Sequence, residues 1–160
     1  EETERTNQIG SWEVNLDTGK VLWTEEVYHI HEVGHEHIPS VETGINFYHP
    51  DDRAIITTAI QTAIEDNSSF DVVCRFITAK GNQKWVRSTG KLLNRNLVGS
   101  FQDITELKAS ELKFKGIFNS TYTFTSFLNQ RGEILDINET ALTTAGIQKQ
   151  EVLGKPLWDT

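Results

Sequence analysis

Four histidines, His29, His31, His35 and His37, form two H-x-H pairs within nine residues. Imidazole is a common zinc or copper ligand, so this run is the first place to look for metal chemistry. No cysteine lies nearby and the spacing specifies no acidic second shell, so a solvated loop is the plainer reading and a metal site the rival. Asp51 and Asp52 are adjacent carboxylates, but neighbours on a helix point in different directions; they suit the positive end of a helix better than paired acid and base work. Cys74 alternates with Phe70, Val72 and Phe76, the pattern of a core residue. Neither Gly19 nor Gly81 sits in a phosphate-cradling pattern. Catalysis needs a nucleophile with its base, a metal triad, or carboxylates held in a cleft, and none is assembled here. The expectation is a segment without turnover of its own.

A different kind of chemistry gathers at Asp103, Thr105 and Glu106. The apolar, glycine-containing run ending at Ile104 reads as a strand, and Glu106 to Ile117 is rich in helix formers. Asp103 or Thr105 can accept a bond from the first helical turn, and Asp103 with Glu106 has capping-box spacing. The helix start is thereby tied to the strand end.

The elements ahead of this joint follow from periodicity. Trp12, Val14 and Leu16 alternate with polar residues and turn through Asp17-Thr18-Gly19 into Val21-Leu22-Trp23, a hairpin. Thr24 stands as cap before a short acidic-fronted helix through Ile30. His31 to Asn46 reads as loop with one more helical turn. A helix starts at His49-Pro50-Asp51-Asp52 and carries Ile56, Ile60, Ala63 and Ile64 at helical spacing. Phe70 to Leu93 is a long hairpin turning at Lys80-Gly81-Asn82, and Asn94-Arg95-Asn96 leads into the last strand. On one face of its second strand Val86, Ser88, Gly90 and Leu92 are mostly small. The volume they leave is either a ligand cavity, with Phe76, Phe101, Ile56 and Ile60 as further lining, or is filled by larger neighbours. On the other face Trp85 and Arg87, beside Val73 and Ile77, call for cover by a terminal helix or a subunit.

The 160 residues suffice for one domain and part of another, and 37% hydrophobic with 24% charged residues is a globular composition. A net charge of −8 with interspersed signs argues against nucleic acid, which needs clustered Lys and Arg. No apolar run approaches membrane-spanning length. One cysteine and no signal peptide fit a reducing cytoplasm, and the absence of methionine suggests a segment of something longer.

Four stretches in order, Ile9-Gly10-Ser11-Trp12-Glu13, His49-Pro50-Asp51-Asp52-Arg53, Lys80-Gly81-Asn82-Gln83-Lys84-Trp85-Val86 and Asp103-Ile104-Thr105-Glu106, together resemble the PAS family. The resemblance implies an α+β fold: a five-stranded antiparallel sheet with helices on one face, then a connecting helix and a partial second PAS-like unit. It also implies a sensory module of a larger bacterial signalling protein, such as a sensor histidine kinase or diguanylate cyclase, that senses a small molecule or partner and relays along the outgoing helix. The flavin-binding light sensors of this class carry their cysteine on a helix before the long hairpin and a glutamine two places before the closing aspartate. Cys74 lies inside the hairpin and Phe101 holds the other place, so flavin is disfavoured. Haem is disfavoured too, because 51–66, where an axial histidine would sit, contains none. Two rivals stand beside the sensory reading: a ligand-free dimerisation module, and a metal-binding domain using the histidine run.

The pattern then begins again. Asn129 to Leu135 mirrors Leu16 to Leu22 at an offset of 132 − 19 = 113 residues, and Glu151-Val152-Leu153-Gly154-Lys155 resembles a motif that follows the first helices of PAS domains. The division expected is 1–105 for the complete module, 106–118 for the connecting helix and 119–160 for a truncated copy. Leu107, Phe114, Ile117 and Phe118 fall near one stripe, the expected interface of a homodimer that also covers the second hairpin.

Overall fold

The computed structural model describes residues 9–120 and 122–159, which fall into two compact units, Glu1–Lys108 and Ala109–Thr160. The incoming helix expected at 1–8 lies outside the described residues. The first unit runs β1 (Ile9–Asn15), β2 (Val21–Trp23), α1 (Glu25–His31), α2 (Val41–Asn46), a 3-10 turn (Pro50–Asp52), α3 (Arg53–Glu65), β3 (Ser69–Ile77), β4 (Gln83–Leu93) and β5 (Asn96–Asp103). Its five strands lie in the order β2-β1-β5-β4-β3, every neighbouring pair antiparallel. The first strand thus closes on the last, and the expected sheet is present.

Register follows from side-chain alternation, because a one-residue slip would turn every apolar side chain to the wrong face. Val14 opposite Leu97, Ser88 opposite Phe101 and Cys74 opposite Val86 all point to the inner face, where α1 supplies Val27 and Ile30 and α3 supplies Ile56 and Ala63. Two glycines face each other on that same side, Gly90 on β4 and Gly99 on β5, with Trp12 opposite Gly99 on β1. A side chain has no room at either. A Cβ on Gly90 would come within 2.4 Å of the Phe70 ring, and one on Gly99 within 1.8 Å of the Thr89 carbonyl oxygen and 2.6 Å of the Trp12 ring. Trp12 and Phe70 stack over this bare patch with ring centroids 6.2 Å apart.

Several local expectations need adjustment. Thr24 stands at the N-cap of α1 but does not cap it; its hydroxyl accepts from Ser11 N at 2.9 Å, while Thr24 N donates to Ser11 O at 3.0 Å. The helical turn expected within His31 to Asn46 is present as α2, closed by a capping box between Ser40 and Thr43. The β4–β5 turn is only Asn94-Arg95, both at positive φ, 46° and 67°, the twist a two-residue hairpin needs; Asn96 already pairs within β5.

The second unit continues from α4 (Thr105–Ser120) through β6 (Ser126–Leu128), β7 (Ile134–Ile137), α5 (Glu139–Ala145) and α6 (Lys149–Val152). β6 and β7 form an antiparallel hairpin, with Gly132 at φ 76° matching Gly19 at φ 70°. Ile134, Phe118, Ala141 and Val152 are buried. The likeness to the first unit extends to a reciprocal lock. Asn138 N donates to Thr125 O at 2.9 Å and Asn138 Oδ1 accepts from Thr125 N at 3.2 Å, the exchange that Thr24 makes with Ser11 over the same 13-residue separation.

Candidate functional site

Between the inner sheet face and the helices lies a cavity of about 140 Å³. The sheet contributes Trp12, Ser88, Leu97 and Phe101, and the helical side Val27, His31, Ile45, Ile56 and Ile60, with Tyr48 between. Of the residues expected to line a pocket, Ser88, Phe101, Ile56 and Ile60 meet there. Val86 and Phe76 do not; both are fully buried in the packed core. Gly90 does not either, because Phe70 and Trp12 cover it. The small stripe on β4 is therefore part filled and part open, with Ser88 on the open side. Trp12, Trp23, Tyr48 and His31 were missed as lining.

His31 departs furthest from expectation. It is the last residue of α1, 3% exposed, and not part of a solvated loop. Its ring centroid lies 4.2 Å from that of Trp23 and 5.0 Å from that of Phe101, with the Phe47 and Phe76 rings set nearly perpendicular to it at 4.9 and 4.8 Å between centroids. Burial drives its pKa down to about 4, against the opposing effect of the bond to the Val27 carbonyl, so it is neutral at pH 7. The other three histidines go elsewhere. His29 and His35 both reach Glu25, at 3.2 and 3.0 Å, while His37 stacks on Trp23. Among the described residues no three His, Cys, Asp or Glu side chains are grouped as a metal ion would need. The signal that could have found His31 is helical: it follows Val27 at i, i+4 on the buried face of a short helix.

The joint after β5 is built from both sides. Asp103 Oδ1 accepts from Thr105 N at 2.9 Å and from Thr105 Oγ1 at 2.5 Å, and its Oδ2 meets Lys84 Nζ at 3.0 Å. Burial alone would raise the Asp103 pKa, but these bonds outweigh it and hold the carboxyl below its ordinary value. Thr105 Oγ1 accepts from Trp85 N at 3.0 Å, and Ile104 N donates to Trp85 O at 2.8 Å. The reach of Asp103 is to Thr105, two residues on, so the capping box with Glu106 is not what closes the helix; Glu106 is exposed. Lys108 lies 5.9 Å over the Trp85 ring, which places a helical side chain on the outer sheet face.

Asp52 is a second staple. Its carboxylate accepts from Arg75 Nη2 at 2.6 Å, Arg75 Nε at 3.1 Å and Arg75 N at 2.8 Å, fastening the α3 start to β3. These bonds bring its pKa to about 2 from 3.8. A depressed carboxyl stabilises the fold above the unfolded value and loses that contribution as pH falls through the folded one, here from about 4 to about 2. Arg75 is 42% exposed, which screens the pair. Asp52→Asn is expected to cost about 1 to 2 kcal/mol at pH 7 and almost nothing at pH 2, read from urea midpoints.

The outgoing stripe divides. Leu107, Phe114 and Ile117 are 66, 48 and 57% exposed, whereas Phe118 is buried, stacked with Phe127 at 5.2 Å. Phe118 belongs to the core of the second unit. No helix among the described residues is long and apolar enough to cross a membrane.

Comparison with known proteins agrees with this geometry. A sensor histidine kinase of Ectopseudomonas mendocina, TmoS, is 42% identical over 53 residues, which is 33% of this chain and 5% of that protein. The chain thus spans about one twentieth of the length of this curated relative. A sensory box histidine kinase/response regulator from Burkholderia thailandensis superposes with a TM-score of 0.59 at 26% identity, over 71% of this chain and 89% of that one. The N-terminal domain of a diguanylate cyclase with PAS/PAC sensor from Marinobacter aquaeolei gives 0.57 at 17% identity, over 62% and 98%, and speaks for the fold alone. The PAS fold family matches residues 20–102, more than half of the chain, and the PAS domain family matches 121–160. With the 2-1-5-4-3 sheet order and the repeated lock, these matches make the chain a member of the PAS family, one complete domain followed by part of a second.

Proposed function

We propose that this chain is the sensory part of a larger signalling protein, a sensor histidine kinase, in which the cavity takes a small, mostly apolar molecule and β5 passes its occupancy to α4. One observation carries the reading. Phe101 lines the cavity and Asp103 anchors the helix start, and the two stand on the same face of the same strand, roughly 7 Å apart along it. A shift of Phe101 against a bound molecule moves the residue that holds Thr105. The chain itself binds and relays rather than turning over a substrate. A void of about 140 Å³ suits a single ring, since an apolar cavity of about 150 Å³ holds benzene; neither a fused flavin nor a porphyrin has that size. The cytoplasm is the proposed compartment, where Cys74, single and buried, stays a thiol.

Asp103→Ala is expected to lower stability by about 1 kcal/mol, the usual effect of losing a cap, and to uncouple strand from helix. In amide spectra, benzene should move signals of the cavity wall and of Thr105 to Lys108 in the unchanged chain, and only those of the wall in the variant. Equal shifts along Thr105 to Lys108 in both proteins would end the relay reading. If neither benzene, phenol nor indole moved any wall signal, the ligand reading would end as well.

The exposure of Leu107, Phe114 and Ile117 favours a second role alongside the first, pairing of two chains along α4. Sedimentation at micromolar concentration should give a dimer that Ile117→Glu converts to monomer; a monomer in the unchanged chain would remove this role.

A further inference from the structure

The cavity wall has an uneven inventory of hydrogen-bonding groups. None of its side chains is formally charged at neutral pH, so a charged ligand would be stripped of water without compensation. Of its hydroxyls, Ser40 Oγ accepts from Thr43 N at 3.1 Å within the capping box, while those of Tyr48 and Ser88 can rotate and both donate and accept. His31 offers an acceptor alone. Its Nδ1 lies 2.7 Å from the Val27 carbonyl oxygen, and a carbonyl only accepts, so Nδ1 carries the proton and Nε2 presents a lone pair. No protein group among the described residues bonds that Nε2. It is not sealed inside the protein as His37 Nε2 is, and the ring borders the cavity. Four aromatic rings hold the imidazole in place, so the lone pair has a fixed direction. Trp12, Phe70 and Phe101 offer apolar faces for a second ring to rest against.

We infer that His31 Nε2 is the specificity-determining acceptor of this cavity, and that the fitting ligand is a neutral single-ring molecule bearing one hydrogen-bond donor, a hydroxyl of the phenol class. The inference rests on the sensory reading above and adds the ligand's chemistry to it. The neutrality of His31 at pH 7 supports it, because an imidazolium would have no lone pair to offer.

Calorimetric titration of the full chain with phenol, benzene and benzoate tests it. Phenol should bind about tenfold tighter than benzene, the net worth of one neutral hydrogen bond, and benzoate should not bind. In His31→Phe the advantage of phenol should vanish while benzene still binds. Independently of any variant, phenol but not benzene should move the His31 Nε2 signal in nitrogen-15 spectra of the unchanged protein. Phenol binding no tighter than benzene, a preference that survives in His31→Phe, or an unmoved Nε2 signal would overturn the inference and leave the sensory reading standing. No binding by phenol or benzene would overturn both.

Discussion

Gly99→Ala is expected to destabilise the first unit by about 4 kcal/mol, the upper end of what a single core substitution does. The new methyl group would sit 1.8 Å from the Thr89 carbonyl oxygen, which is fixed by the β4–β5 ladder and cannot rotate away. Its other close neighbour, the Trp12 ring at 2.6 Å, is held against Phe70. Either the ladder opens beside Thr89 or the indole leaves the sheet, and both forfeit buried contacts. Gly44→Ala is the fitting control: its Cβ would meet only Trp23 Cζ2 at 3.8 Å, an ordinary contact. Urea midpoints of the two variants should differ widely. Near-equal midpoints would show that the glycine patch is not the close-packed floor described above.

Asn138→Ala is expected to cost about 4 kcal/mol in the second unit. Asn138 is fully buried, and its amide serves four backbone groups: Nδ2 donates to Phe118 O at 3.1 Å and Thr123 O at 2.9 Å, and Oδ1 accepts from Thr125 N and Ala141 N, both at 3.2 Å. Truncation strands buried donors and acceptors at about 1 kcal/mol each. Asn138→Asp is the sharper probe. It keeps the shape and the two accepted bonds but turns two donors into repulsive oxygen pairs, so it should be no better tolerated than alanine. Amide hydrogen exchange across residues 122–159 reads the result. Protection unchanged in both variants would mean that the hydrophobic residues alone hold this unit.

What the sequence made legible was set by alternation and by turn chemistry. Phe70, Val72, Cys74 and Phe76 declare a face of β3, and the 3-10 turn that opens at Pro50 ahead of α3 needs only proline geometry. The offset between Gly19 and Gly132 disclosed the second copy because both turns need positive φ. Less legible was anything decided by a partner distant in sequence. Thr24 carries the signature of a cap, yet the competing amide is Ser11 N on another strand. Gly90 reads as empty space until Phe70 and Trp12 are seen lying on it. Phe118 fits the exposed stripe by spacing and is drawn out of it by Phe127. His31 was hidden by its neighbours, since a run of four histidines suggests a shared purpose and only the helix end separates the buried one from the rest.

The stacking of Trp12 and Phe70 over Gly90 and Gly99 also bears on how the cavity beneath the helices can vary. The strand backbone forms a fixed floor, and the two rings are a removable lining laid over it. A smaller residue at either ring position enlarges the void without altering one ladder hydrogen bond, while the paired glycines keep the floor from rising to fill it. The size of the cavity can therefore drift through two codons, leaving the strand-to-helix joint at Asp103 untouched.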